Sequence, residues 1–234
     1  MQDLICLPTV ICSDKNIMNK RNYQKELEKI LETKETVGAK LFLHSCCAPC
    51  SSYVLTYLCS VFDITVFYYN PNITDDDEYQ NRVSEQIRLI DTLNGEGISK
   101  YPIKVIKGDY DKTAFYDCAK GLENEPEGGR RCTGCFHLRL ERTCKEALAN
   151  GADYFGTTLT ISPLKDAERI NNIGFGLENE LGAGKLKFLP SDFKKKDGYK
   201  TSIELSKKYN LYRQDYCGCE FGKMQGKEQK DKLL

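Results

Sequence analysis

Two hydrophobic patterns alternate along the chain. Short apolar runs read as buried strands, and longer stretches with apolar residues every three or four positions read as helices with one core face. The runs are 40–45 (KLFLHS), 62–69 (FDITVFYY), 102–107 (PIKVIK), 153–158 (DYFGTT) and 186–190 (LKFLP). Helices are predicted over 19–36, with Leu27, Ile30 and Leu31 on one side, and from Pro49 to about Cys59. Further helices are predicted over about 74–93, 111–120, 134–149, 163–178 and 198–209. The acids Asp75, Asp76 and Asp77 suit the positive N-terminal end of the third helix. Ser162 and Pro163 give an N-cap and first-turn signal for the helix at 163. Asn70-Pro71-Asn72, Asn94-Gly95, Glu125–Gly129 and Asn150-Gly151 separate the elements. Residues 222–234 read as a solvated, mobile tail.

Strand and helix alternate, with crossings long enough for helices, which predicts one α/β domain. Its parallel sheet has about five strands flanked by helices, and a Cys-containing C-terminal segment follows. The expected organisation is an N-terminal extension with a helix (1–36), a metal-binding α/β domain (37–222) and a tail (223–234). In such a sheet the ligand site lies beyond the carboxyl ends of the strands.

Composition narrows the class. The chain has 234 residues, 12 cysteines, and 34 basic against 34 acidic residues. That is enough chain to bury a core without disulfide staples. No basic residue precedes the apolar stretch 1–12 and no small-residue cleavage site follows it, so a secretory signal is not expected. No apolar run approaches ~18 residues, so no membrane contact is expected either. The expected compartment is the reducing cytoplasm, where many thiols suggest metal or redox chemistry.

Seven cysteines fall in three clusters: Cys46, Cys47 and Cys50; Cys132 and Cys135; Cys217 and Cys219. Spacings of one or two residues let two thiolates face a common metal, and thiolates select zinc or iron–sulfur groups. Seven thiols exceed the needs of one four-coordinate group. The surplus suggests a second metal, or a redox-active or substrate-facing thiol. A non-enzymatic protein with structural zinc fits the same spacing. Cys6, Cys12, Cys59, Cys118 and Cys144 are isolated and read as packing residues.

With their flanks, these clusters resemble the QueH-type epoxyqueuosine reductases. The similar stretches are Leu43-His44-Ser45-Cys46-Cys47-Ala48-Pro49-Cys50, Tyr69–Ile73, Arg131–Phe136 with Arg139-Leu140, Thr157–Pro163 with Lys165, and Tyr216-Cys217-Gly218-Cys219. They run in order from residue 41 to 222. The resemblance implies a fold of the nucleotide-binding HUP or PP-loop-like class. It implies reduction of epoxyqueuosine to queuosine at the wobble position of a tRNA anticodon, with a 4Fe-4S cluster, an adjacent iron ion and an external electron donor. It also implies that Cys46, Cys47, Cys132, Cys135, Cys217 and Cys219 are metal ligands, with Cys50 differing in role in some members. An iron–sulfur tRNA sulfur transferase is the other alternative. No Ser-Gly-Gly-x-Asp-Ser loop follows the first strand, so ATP use is unsupported.

Removing the epoxide oxygen as water consumes two electrons and two protons. Side chains do not supply the electrons, so a redox centre is required. Tyr216, Asp109 and His44 are the proton-donor candidates by position. The loop holding Thr158 and Ser162 leads into a helix N-terminus suited to an RNA phosphate, with Lys165 close by. Between 185 and 215, nine basic residues stand against four acidic ones. That surplus includes Lys194, Lys195 and Lys196 and, with Arg130 and Arg131, suggests a tRNA-backbone footprint.

Overall fold

The computed structural model of the protein describes residues 21–231. The chain forms α1 (Tyr23–Leu31), β1 (Lys40–His44), α2 (Ala48–Leu58), β2 (Asp63–Tyr68), α3 (Asp76–Gly95), β3 (Lys104–Lys107) and α4 (Lys112–Ala119). It continues with α5 (Arg130–Ala149), β4 (Tyr154–Thr157), α6 (Ala167–Leu181), β5 (Lys187–Phe188), α7 (Gly198–Lys208) and α8 (Glu220–Asp231). The strands form one sheet in the order β3-β2-β1-β4-β5, with every pairing parallel. This is the α/β architecture that the alternating pattern predicts.

Both faces of the sheet are covered, which is why its central strands are apolar throughout rather than alternating. Leu41 and Leu43 of β1 pack into a core with Leu27, Leu55, Leu58, Leu89 and Phe193 from α1, α2, α3 and the segment before α7. Phe42 points the other way, into a second core with Phe136, Leu140, Ile170 and Leu177 from α5 and α6. Gly174 lets α6 lie flat on β5, since a Cβ there would come within 2.3 Å of the Phe188 ring. Gly174→Ala is therefore expected to destabilise the fold by about 1–3 kcal/mol through overpacking. A denaturant midpoint equal to that of the native chain would contradict this packing.

Four features differ from the sequence pattern. Helix α5 begins at Arg130 rather than 134, because Gly129 is an extended N-cap from which Arg130 and Arg131 enter the helix directly. Helix α6 begins at Ala167, capped by the Asp166 side chain accepting from the Arg169 N–H. Ser162 is thus not its N-cap; the Ser162 hydroxyl accepts from the Leu164 N–H at 3.3 Å, closing a separate turn. The stretch expected as a mobile tail from residue 222 is helical through Asp231. The first helix spans only Tyr23–Leu31, and residues 19 and 20 lie outside the described residues.

Candidate metal centre

The strand order reverses between β1 and β4, and the crevice beyond their carboxyl ends is where such sheets bind ligands. Cys46 and Cys47 follow β1 directly, and Thr157 ends β4 beside them. All three cysteine clusters sit at helix N-termini. Cys47 is the N-cap of α2, with Cys50 in its first turn. Cys132 and Cys135 lie in the opening turns of α5. Cys219 precedes α8, and its Sγ accepts from the Gly222 N–H at 3.4 Å. Free N–H groups and the helix dipole favour thiolate at each of these places.

The Sγ atoms of Cys46, Cys47 and Cys50 all lie within 4.8 Å of one another. Sulfurs bound tetrahedrally to one ion at ~2.3 Å are spaced by about 3.8 Å, so small side-chain adjustments would seat a single metal. Cys47 stands between the others, with sulfur separations of 3.9 Å to Cys46 and 2.9 Å to Cys50. Cys132, Cys135, Cys217 and Cys219 line a second, narrower cavity. Cys217 also lines the larger cleft of about 260 Å³ that holds Cys46, Cys47 and Cys50, so the two sulfur groups share a wall.

The C-terminal cysteines reach this wall because their loop is tethered to the sheet. Arg82 of α3 donates to the carbonyls of Tyr216 and Cys217 at 3.3 and 3.2 Å. Asn72 donates to the Cys217 carbonyl at 3.2 Å, and the Thr74 N–H to that of Gly218 at 3.1 Å. Gly218 has φ +109°, and a Cβ there would meet Ile73 at 2.7 Å, so glycine is required for the approach.

The electrostatics favour thiolate unevenly. Hydrogen bonds from Cys47 and Cys50 hold the Cys46 thiol well below its ordinary value, with Lys165 adding to them. The bond to Cys46 pushes Cys47 up to about 12 and Cys50 up as well. In the other group, the Cys219 hydrogen bond brings Cys217 down to about 6, while Cys219 is raised. Burial raises Cys132, and Cys135 to about 11. Burial alone would lower the Lys165 ammonium, but the sulfurs of Cys46, Cys50 and Cys217 outweigh it and raise the lysine.

The proton-donor candidates separate clearly. Tyr216 lines the larger cleft; burial raises its phenol, and its ring carries the Arg82 guanidinium 5.2 Å from the centroid. His44 is wholly buried at the end of β1 and is not on the cleft wall. Its Nε2 lies 3.2 Å from the Tyr69 carbonyl and must donate there; its Nδ1 then accepts from the Thr157 hydroxyl at 2.9 Å. Burial and the Arg139 charge lower the ring to about 3, so it stays neutral and structural. Asp109 forms an ion pair with Arg142 at 2.7 Å and is also off the cleft wall.

The RNA-contact candidates divide as well. Thr158 is buried, with its hydroxyl 3.5 Å from the Cys46 N–H, so it supports the cysteine loop instead of meeting solvent. Arg131 is only 1% exposed. Arg130 is exposed and paired with Glu125 at 2.6 Å, and Lys196 is paired with Glu28 on α1. Ser162 and Lys165 line the cysteine cleft. Lys165, Lys194 and Lys195 also line a second surface cleft with Arg21, although Lys194 is paired with Asp192 at 2.7 Å.

The cleft has further residues that were not among the candidate site residues: Arg82, Tyr199, Arg213, Gln214 and Arg139, the last of which belongs to a stretch that carries the family resemblance. Arg82 and Arg139 were detectable in principle, as charged residues on helix faces otherwise filled by Tyr79, Val83 and Gln86 or by Phe136, Leu140 and Thr143. A buried charge is retained only where something compensates it.

Residues 41–225 match the family model described as Epoxyqueuosine reductase QueH. The chain is 46% identical over 210 residues to the Epoxyqueuosine reductase QueH of Staphylococcus epidermidis, covering 88% of this chain and 86% of that one. It is 39% identical over 219 residues to that of Streptococcus pyogenes, covering 92% and 84%. With that of Thermotoga maritima it is 34% identical over 191 residues, covering 80% and 92%.

Proposed function

This chain belongs to the QueH family of epoxyqueuosine reductases, and from that premise we propose that it reduces epoxyqueuosine at the wobble position of tRNA to queuosine. In the reaction two carbon–oxygen bonds break and a carbon–carbon double bond forms. Two electrons from an external donor and two protons enter, and the oxygen leaves as water. The observation that carries this reading is the sharing of one wall, at the switch point of a parallel sheet, by a three-thiol and a four-thiol group.

Four thiols are the complement of a 4Fe-4S cluster, and we assign Cys132, Cys135, Cys217 and Cys219 to it. Cys46, Cys47 and Cys50 then hold the single iron. When bound, the cluster passes electrons one at a time and the iron acts as a Lewis acid toward oxygen. The protein does the rest. Arg82 and the Asn72 amide fix the Cys217 loop, and Lys165 offsets negative charge on the shared wall. Tyr216 is the candidate that lies on the cleft wall, and its hydroxyl is assigned to deliver a proton to the leaving oxygen. Tyr199 and the exposed Leu164 flank the cleft, offering apolar surface to an unstacked nucleotide. Arg21, Lys165, Lys194 and Lys195 line the adjoining surface cleft, where they would follow the RNA backbone. Among the described residues no helix is long and apolar enough to cross a membrane.

Anaerobic purification and reconstitution test the metal assignment. The expected content is about five iron and four sulfide per chain, with a brown colour. A colourless protein holding stoichiometric zinc, with neither iron nor sulfide, would favour a structural-zinc protein instead.

A further inference from the structure

Arg131 is the second residue of α5 and lies directly beside Cys132. Its side chain is among the largest that are fully buried in the protein. One terminal nitrogen, Nη1, donates to the carbonyls of Leu122, Glu123 and Glu125 at 3.1, 2.7 and 2.6 Å. The Phe221 ring of α8 lies 5.2 Å from the guanidinium carbon. Together these contacts fix the plane of the group. The other two nitrogens, Nε and Nη2, are buried and have no hydrogen-bond partner among the described residues. They form one edge of the planar fork, the edge that binds acceptors in pairs. No carboxylate is ion-paired with this guanidinium among the described residues. The cavity it lines is the one lined by Cys132, Cys135, Cys217 and Cys219.

A buried cation with two idle donors is costly, because each unmet N–H loses its water without replacement. The cost is relieved if an anionic acceptor occupies the cavity. The four thiols on its walls make a metal–sulfur group the acceptor that fits, since cluster and thiolate sulfurs are negative and accept hydrogen bonds. An RNA phosphate is the wrong partner for a side chain closed off from solvent.

We propose that the Nε–Nη2 edge of Arg131 donates hydrogen bonds to sulfur of the group held by Cys132, Cys135, Cys217 and Cys219, making Arg131 a positioning residue that raises its reduction potential. The inference rests on the proposed assignment of the four-iron cluster to those cysteines. Reduction adds one negative charge to the group. A fixed cation and its N–H groups stabilise the reduced form more than the oxidised one, so the potential rises.

The test compares the native chain with Arg131→Lys and Arg131→Gln, each reconstituted anaerobically and titrated by potential with EPR detection of the reduced cluster. At native iron and sulfide content, both variants are expected to titrate at more negative potential. The shift should be larger for Gln, which loses the charge as well as the fork. Equal potentials in all three proteins would overturn the proposal. Both variants also disturb the carbonyl contacts of Nη1, so a measurement on native protein stands beside them. Chain labelled with 15N-arginine and reduced should show 15N hyperfine coupling by pulsed EPR. A loaded native cluster without that coupling overturns the role of Arg131 alone. A native chain that takes up zinc and no sulfide overturns the cluster assignment and this inference together.

Discussion

Cys132→Ala is expected to yield a folded protein that has lost its four-iron cluster and whose turnover falls below about one per cent of native. Cys132 sits in the first turn of α5, lines the four-thiol cavity and accepts from the Gly128 N–H at 3.3 Å. Alanine is the best helix former, so α5 keeps its start. The side chain is only partly buried, which limits the packing loss to about 1 kcal/mol. What the substitution removes is one of four thiolates, and three leave a cluster iron open to solvent and to loss. Cluster iron should drop from about four per chain to near zero, and the unfolding midpoint should match that of the native chain stripped of its cluster. Full iron together with full activity in this variant would contradict the ligand assignment.

Cys47→Ala is expected to give the complementary result. Its sulfur is the middle one of the three-thiol group. As the N-cap of α2 it makes no side-chain cap bond, so alanine there costs the helix little. The variant should keep about four iron and four sulfide per chain and lose only the fifth iron, while turnover again falls to background. The cluster signal after reduction should be preserved. Loss of the cluster with retention of a single iron would mean that the two groups are assigned the wrong way round. The two variants together separate a cluster defect from a single-iron defect, which one activity assay does not.

Much of this arrangement was legible in the sequence because it depends on local signals. The apolar runs at 40–45 and 62–69 are strands because both their faces are buried, and the Cys-Cys-Ala-Pro-Cys stretch falls where strand β1 meets helix α2. Strand order is different in kind: pairing of β1 with both β2 and β4 is set by helix packing across the whole chain, which no spacing encodes. Ser162-Pro163 misled because the pair is a sound capping signal that here serves a turn, while Asp166 caps the helix four residues later. Arg131 misled for a related reason. A basic residue beside a cysteine motif reads as a surface charge, and only the course of the Leu122–Glu125 loop reveals that its carbonyls enclose it. His44 fits the same pattern, since its tautomer is fixed by Thr157 and Tyr69, which are far from it in sequence.

The charge reading sharpens in the same way. The basic surplus at 185–215 is real in the sequence, but pairing removes part of it. Lys194 is matched by Asp192, Lys196 by Glu28 and Lys208 by Glu96. The cations lining the two sulfur cavities include instead Arg82, Arg131, Arg139 and Lys165, drawn from three separate segments. The burial of the three arginines suits compensation of thiolate charge better than contact with phosphate.

The most direct measurement supplies the native, anaerobically reconstituted protein with a chemical reductant and tRNA carrying epoxyqueuosine, then digests the tRNA and identifies its nucleosides by mass spectrometry. The account predicts loss of one oxygen and accumulation of queuosine, dependent on the reductant. Unchanged epoxyqueuosine in the presence of protein with its full complement of iron and sulfide would contradict it.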